Sequence, residues 1–255
     1  MFSLEIASPE DTREMLIAEL WEQGSSGIVE VNAEQVRAFF DDDRAMDAML
    51  ARYPGAVARV EGSRDWVQSA RELLQPMEVG RRFFLVPEWR DDATPPGRFR
   101  ITVNPGMAFG TGVHETTRLC LEALEEFRLP GLTVLDVGTG SGILAKAARM
   151  LAPGPVFACD VDPVAVEIAG EGFVGSVDAV ASTSVDLVVA NISPEAIVQL
   201  GPEFRRVLRG PGVLLASGFE VHEVDAVRGA LGDVAEVRHK GNWALIVSYG
   251  SLRRR

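Results

Sequence analysis

Apolar and polar positions alternate along this chain with two periods, one near two residues and one near 3.6, and the order in which they appear predicts the layout. "FSLEI" alternates as a strand, and "SPEDTREMLIAELWEQG" has helical spacing, with Ser8 placed as N-cap, Pro9 at the first helical position and Gly24 as the stop. "SGIVEV" and "VRAFFDDD" follow as strands, and "DRAMDAMLARY" as a second helix ending near Pro54 and Gly55. Residues 1–62 thus form a small α/β unit. "SRDWVQSARELLQPM" reads as a linker helix over 63–78 closed by Pro76, before the strand "RRFFLVPEW" and the turn-rich "DDATPPG".

From Arg98 onward, within a unit covering 79–255, short apolar runs alternate with helical ones: "FRITVN", "HETTRLCLEALEEF", "TVLDV", "ILAKAARML", "VFACD", "PVAVEIAG", "DLVVANI", "PEAIVQLGPEFRRVL", "GVLLAS", "EVDAVRGAL", "VAEVR", "WALIVS". That order predicts a mainly parallel, doubly wound sheet with helices on both faces. Only "HKGN" separates the last two runs, too little for a helix, so they are expected as an antiparallel hairpin at one edge.

The net charge of −12 is unevenly spread: residues 1–62 hold 13 Asp plus Glu against 5 Arg, a net of −8. Such a surface repels phosphate backbones, arguing against direct nucleic-acid binding, and attracts basic partners, although acidic surfaces also serve solubility alone. No apolar run approaches the roughly 20 residues of a membrane span, and "MFSLEIASPED" has no basic segment leading into an apolar one. A soluble, cytoplasmic, monomeric protein is expected. Cys120 and Cys159 lie in apolar segments and suit reduced core thiols, and the three histidines form no metal-ligand spacing, so no metal site is expected.

Two glycine-rich stretches carry the chemistry. In "VLDVGTGSG", a strand runs into Gly138, Gly140 and Gly142 with the spacing G-x-G-x-G, whereas a dinucleotide fingerprint needs G-x-G-x-x-G. With Asp136 two residues ahead, the pattern resembles motif I of class I S-adenosylmethionine-dependent methyltransferases. Asp160 ends the next strand, where a carboxylate can accept hydrogen bonds from ribose hydroxyls in either cofactor class. Asp162 before Pro163 reads as a helix cap. Asn191, at the end of "DLVVAN", offers donor and acceptor for an amine near a methyl donor, or else caps the following helix. It is followed by Ile192, Ser193 and Pro194, without the aromatic residue that base-methylating enzymes stack on a flipped base, which argues against an adenine substrate.

Together "NPGMAFGTGVHETT", "VLDVGTGSGILA", "CDVDPVAV" and "VVANI", with "DWVQSARELLQPMEVGRRFFLVPEW" and "GNWALIVSYG", resemble the PrmA family, which methylates protein eleven of the large ribosomal subunit. The resemblance implies a seven-stranded class I methyltransferase domain, a small N-terminal ferredoxin-like domain that recognises the basic ribosomal protein, and S-adenosyl-L-methionine as cofactor. It implies that Thr117 and the backbone near Gly138 and Gly140, with Asp136 behind them, hold the methionine moiety, that Asp160 holds the ribose, and that Asn191 serves the reactive end. Phe109, Gly110 and His114 would shape a lid over the methyl group. Asn191 and His114 are the candidate catalytic residues, and His114 can equally be a helix-start residue bonding nearby backbone.

The chain departs from the family pattern at Ala70, four residues after Trp66, and at Gln75, and only 25 residues separate Asp162 from Leu187. These departures bear on the nucleobase wall and on protein docking. Other readings to be separated are a methyltransferase of another protein or of a small molecule using the same donor site, a non-enzymatic ribosome-binding module and an NAD-dependent oxidoreductase.

Overall fold

The computed structural model describes residues 2–9, 12–32, 34–60, 75–103, 114–127, 131–151, 154–170 and 172–250. The chain divides into two compact units, Met1–Gln75 and Pro76–Arg255.

The first unit runs β1 (Phe2–Ala7), α1 (Arg13–Glu22), β2 (Gly27–Asn32), β3 (Gln35–Phe40), α2 (Met46–Arg52) and β4 (Val57–Val60). Its strands form an antiparallel sheet in the order β2-β3-β1-β4, the ferredoxin-like arrangement of a βαββαβ chain. Phe2 lies opposite Phe40 in the ladder and the two rings stack with centroids 5.1 Å apart, over a core that includes Leu4, Leu20, Val36 and Met49. One expectation is corrected here. Ser8 does not cap α1, because its N–H donates to Glu34 O and so prolongs the β1–β3 pairing. The helix starts later, at Arg13 after Thr12, and Arg13 reaches back to Ser8 Oγ and Ser8 O at 3.3 and 3.1 Å. Gly24, at φ +84°, ends the helix as expected.

Most of the expected linker helix, residues 63–74, lies outside the described residues, and Met77–Val79 is already β5, paired with β6 (Phe83–Pro87). With β7 (Phe99–Val103) these strands make a three-stranded sheet in the second unit. After α3 (Glu115–Leu124) come β8 (Val134–Val137), α4 (Ile143–Leu151), β9 (Val156–Asp160), α5 (Pro163–Ala169), β10 (Phe173–Val174), β11 (Val185–Asn191), α6 (Pro194–Val207), β12 (Leu208–Glu220), α7 (Val224–Leu231), β13 (Val234–Lys240) and β14 (Trp243–Tyr249). The seven strands β8 to β14 order as β10-β9-β8-β11-β12-β14-β13, parallel except for β14, which is antiparallel to both neighbours.

The side-chain alternation explains why the strand sequences are apolar throughout. Leu187 and Val189 enter one core with Val134, Leu215 and Leu245, while Val188 and Ala190 enter the other with Leu135, Ala216 and Ile246. Both faces are buried under helices, as a parallel sheet requires, and each covered Val or Leu contributes roughly 1.5–3 kcal/mol. The expected hairpin forms at the edge, closed by the two-residue turn Gly241–Asn242 with Gly241 at φ +58°. β12 is longer than "GVLLAS", because Leu208 pairs with Val185 at one end and Glu220 with Trp243 at the other.

Candidate functional site

In the seven-stranded sheet the chain winds from β8 outward through β9 to β10, then returns to β11 on the other side of β8. Ligands sit at such a switch point, beyond the carboxyl ends of the strands. A cavity of about 520 Å³ opens there, lined by Gly138 and Gly140 after β8, Asp160 after β9, Asn191 after β11, and Thr117 at the start of α3. Its size suits a nucleoside-sized ligand, and its lining is mostly apolar with a few placed polar groups.

The turn after β8 is fixed by its glycines. Gly138 has φ +71°, and a Cβ there would run into Cγ2 of Ile192. Gly142 has φ +73°, and its Cβ would meet the Ala169 Cα at 2.9 Å, so the third glycine lets α4 pack closely on α5. The N–H groups of Gly138 and Thr139 donate to Cys159 O, tying the turn to β9.

Asp136 lies fully buried at the root of this turn. Its Oδ2 accepts from Thr139 Oγ1 at 2.8 Å and from the Ala145 N–H at 3.0 Å, while its Oδ1 is buried without a hydrogen-bond partner among the described residues. Burial pushes the carboxyl up to about 6, against the lowering effect of those two donors, and the Asp160 charge adds to the rise. Both cysteines are buried free thiols whose pKa burial pushes up, Cys159 to about 12. They are core residues with little thiolate character.

Asp160 is held from two sides: its Oδ2 accepts the Gly140 N–H and its Oδ1 the Asp162 N–H, each at 3.0 Å. Asp162 caps α5 with Pro163 at the first helical position, as its sequence context predicts. Asn191 is not a cap, since Ser193 accepts from the Ala196 N–H and caps α6. Instead Asn191 Nδ2 donates to Thr117 Oγ1 at 3.3 Å, and its Oδ1 is a second buried acceptor without a partner among the described residues.

His114 caps α3: its Nδ1 accepts the Thr116 N–H at 3.4 Å and lies 2.8 Å from Thr116 Oγ1. A neutral imidazole accepting at Nδ1 carries its proton on Nε2. The ring also meets Trp243 edge to face, with centroids 4.5 Å apart. His114, Thr117, Gly138, Gly140, Asp160 and Asn191 therefore share one cavity, with Asp136 beneath it, and Phe109 and Gly110 lie outside the described residues. Sequence reasoning gave no role to Trp243, Ile192, Ser176 or Gly218, all of which line the cavity. A Gly218 side chain would strike the Ile192 backbone, a closeness that only the folded β11–β12 junction reveals. Among the described residues no cluster of three or more His, Cys, Asp or Glu could hold a metal ion, and no helix among them is long and apolar enough to cross a membrane.

Comparison with known proteins places this geometry. Residues 5–250 match the family model described as ribosomal protein L11 methyltransferase (PrmA). The chain is 37% identical over 224 residues to the ribosomal protein L11 methyltransferase of Desulfitobacterium hafniense, covering 80% of this chain and 72% of that one. It is 34% identical to the enzyme of that name from Pelobacter propionicus, over 94% of both chains. The latter alignment runs to 291 positions, more than the 255 residues here, so parts of that relative have no counterpart in this chain. The crystal structure of a ribosomal protein L11 methylase from Lactobacillus delbrueckii subsp. bulgaricus superposes with a TM-score of 0.64 at 30% identity, over 70% of this chain and all of that one. A family model spanning nearly the whole chain, relatives matched over most of their length, and a glycine turn set at the switch point of a class I sheet agree: this chain belongs to the PrmA family of S-adenosyl-L-methionine-dependent ribosomal protein methyltransferases.

Proposed function

We propose that the cavity binds S-adenosyl-L-methionine with its methionine end over Gly138 and Thr117 and its ribose at Asp160, and that the chain methylates lysine side chains or the N-terminal amine of the large-subunit ribosomal protein L11. The observation that supports this reading is the convergence of Thr117, Gly138, Gly140, Asp160 and Asn191 on one cavity at the switch point of the sheet. The glycine turn lets an amino-acid moiety approach its backbone closely, and the Asn191 side chain lines the same cavity at the end of β11, where an incoming amine would meet it. Each Asp160 oxygen uses one lone pair on a backbone N–H and keeps another for a ribose hydroxyl.

Bound S-adenosyl-L-methionine supplies a methyl group on a sulfonium, open to in-line attack by a neutral nucleophile. A free lysine amine, with a pKa of about 10.4, is mostly protonated near neutrality, so the site must favour its neutral form and present its lone pair. Asn191, anchored by Thr117, orients the amine, and water takes the proton. His114 and Trp243 wall this end of the cavity. With its ring nitrogen engaged in the helix cap, His114 acts by fixing the start of α3, and hence Thr117, rather than as a base. Phe109 and Gly110 complete the closure as lid residues.

The acidic residues 1–62 fit a basic ribosomal partner met in the cytoplasm, with this segment recognising the substrate, a linker over 63–78 and catalysis in 79–255 as a monomer. The deciding experiment incubates the protein and methyl-labelled cofactor with free L11 and with undermethylated ribosomes, then maps mass shifts. Shifts of one or more methyl groups on L11 amines are expected. Label on another protein or on a small molecule alone would move the substrate assignment and leave the donor site standing.

A further inference from the structure

The cavity wall on the Asp160 side is built from an unusually short piece of chain. β10 has two residues, pairing only as Phe173 with Cys159 and Val174 with Asp160. The next two residues, Gly175 and Ser176, line the cavity, and a single-turn 3-10 helix, Val177–Ala179, follows. So brief a pairing supplies few ladder bonds to hold what comes after it.

Arg206, in the last turn of α6, takes up that task. Its Nη1 donates to Val180 O at 2.7 Å and Ser182 Oγ at 3.1 Å, its Nη2 to Val177 O at 3.1 Å and Asp178 O at 3.2 Å, and its Nε to Glu203. All five N–H donors of the guanidinium are thus engaged, four of them on residues 177–182. The backbone carbonyl of Arg206 also accepts from the Thr183 N–H at 2.9 Å, and at the near end the Gly175 N–H donates to Asp160 O at 2.8 Å. Arg206 does not line the cavity.

We infer that Arg206 is a positioning residue for the cofactor's nucleoside end, clamping the turn after β10 so that Gly175 and Ser176 hold the wall beside Asp160. This rests on the cofactor reading above. No ammonium reproduces a five-donor planar fork, so lysine should not restore the clamp.

The test compares wild type, Arg206→Lys, Arg206→Gln and Ser182→Ala by calorimetric binding of S-adenosylhomocysteine and of 5′-methylthioadenosine, which carries the nucleoside without the amino acid. Steady-state methylation and amide hydrogen exchange are measured on the same proteins. Both Arg206 variants should lose roughly tenfold or more in affinity for both ligands, by the same factor, as the loss of several charge-assisted hydrogen bonds predicts. The KM for the cofactor should rise in parallel while kcat at saturation changes less than about twofold, the pattern of lost uniform binding. Exchange should quicken in residues 175–182 and stay unchanged in β8 and β11. Ser182→Ala, which removes one acceptor and leaves the fork, should show the same pattern at roughly two- to threefold. Wild-type affinity in the Arg206 variants overturns the clamp, as does an equal fall in kcat with faster exchange throughout the sheet. A wild-type protein that binds neither ligand sinks the cofactor reading and the clamp with it, whereas wild-type binding unaltered in the variants sinks the clamp alone.

Discussion

Asn191 and Thr117, 74 positions apart in sequence, meet through a 3.3 Å hydrogen bond from Asn191 Nδ2 to Thr117 Oγ1, joining the end of β11 to the first turn of α3. The bond fixes the orientation of the amide, with Nδ2 turned to the Thr117 hydroxyl. Thr117→Val keeps the shape and removes the hydroxyl. It is expected to lower kcat/KM roughly 5- to 100-fold, the equivalent of about 1–3 kcal/mol for a buried donor left without its partner. Asn191→Ala should cost at least as much, falling mainly on kcat. Single-turnover rates with saturating cofactor would separate the two, and full rates in Asn191→Ala would remove it from the chemistry.

Buried Asp136 makes stability depend on pH. Its carboxyl is pushed up to about 6 from an ordinary 3.8. The folded protein therefore holds this proton more tightly than the unfolded chain, and its stability falls as pH rises through the window from about 4 to about 6. Above that window the deficit is full, about 3 kcal/mol at roughly 1.4 kcal/mol per pH unit. Asp136→Asn keeps an acceptor for Thr139 and Ala145, so it should raise the urea midpoint at about pH 7.5, with most of the gain gone by about pH 4.5. The same variant should bind S-adenosylhomocysteine more weakly. An equal gain at both pH values would dissociate the effect from ionisation.

Gly138 is constrained twice, by φ +71° and by Cγ2 of Ile192. Gly138→Ala should cost roughly 1–3 kcal/mol of stability from the strained backbone, with more from the collision. Adding Ile192→Ala deletes the colliding methyl and should recover the steric share only. A double-mutant cycle on the unliganded protein reads this coupling, and strict additivity would show that the two residues do not press on each other.

Trp243 supports the cavity wall from β14 and touches the His114 ring edge to face. Trp243→Phe retains an aromatic face for that contact and should keep most of the activity. Trp243→Ala should lose about 2 kcal/mol of stability and raise the cofactor KM several-fold, measured by thermal unfolding and initial rates. Unchanged KM in Trp243→Ala would restrict the residue to core packing.

What the sequence revealed was the local part of this architecture. "DLVVAN" announces a strand buried on both faces because Leu187 and Val189 point one way and Val188 and Ala190 the other, and "HKGN" is too short for anything but a hairpin. The glycines of "VGTGSG" mark a tight turn because each takes positive φ. Ser8 misled because a good N-cap is also a good strand end, and pairing with Glu34 decided between them. Trp243 could not be read at all as a site residue. Its place depends on the β12–β14 register, Glu220 opposite Trp243, and on the irregularity between Ser217 and Phe219 that sets that register. No local pattern encodes a relation between residues so far apart.

The Asp160 carboxylate is anchored by the Gly140 and Asp162 N–H groups within the folded chain itself. The protein thus spends the entropy of aiming this side chain when it folds, not when the ligand arrives. If Asp160 holds the ribose as proposed, discrimination at this corner is preorganised: a nucleoside lacking one ribose hydroxyl should find a carboxylate that does not swing to compensate, and the loss should appear in full as lost affinity.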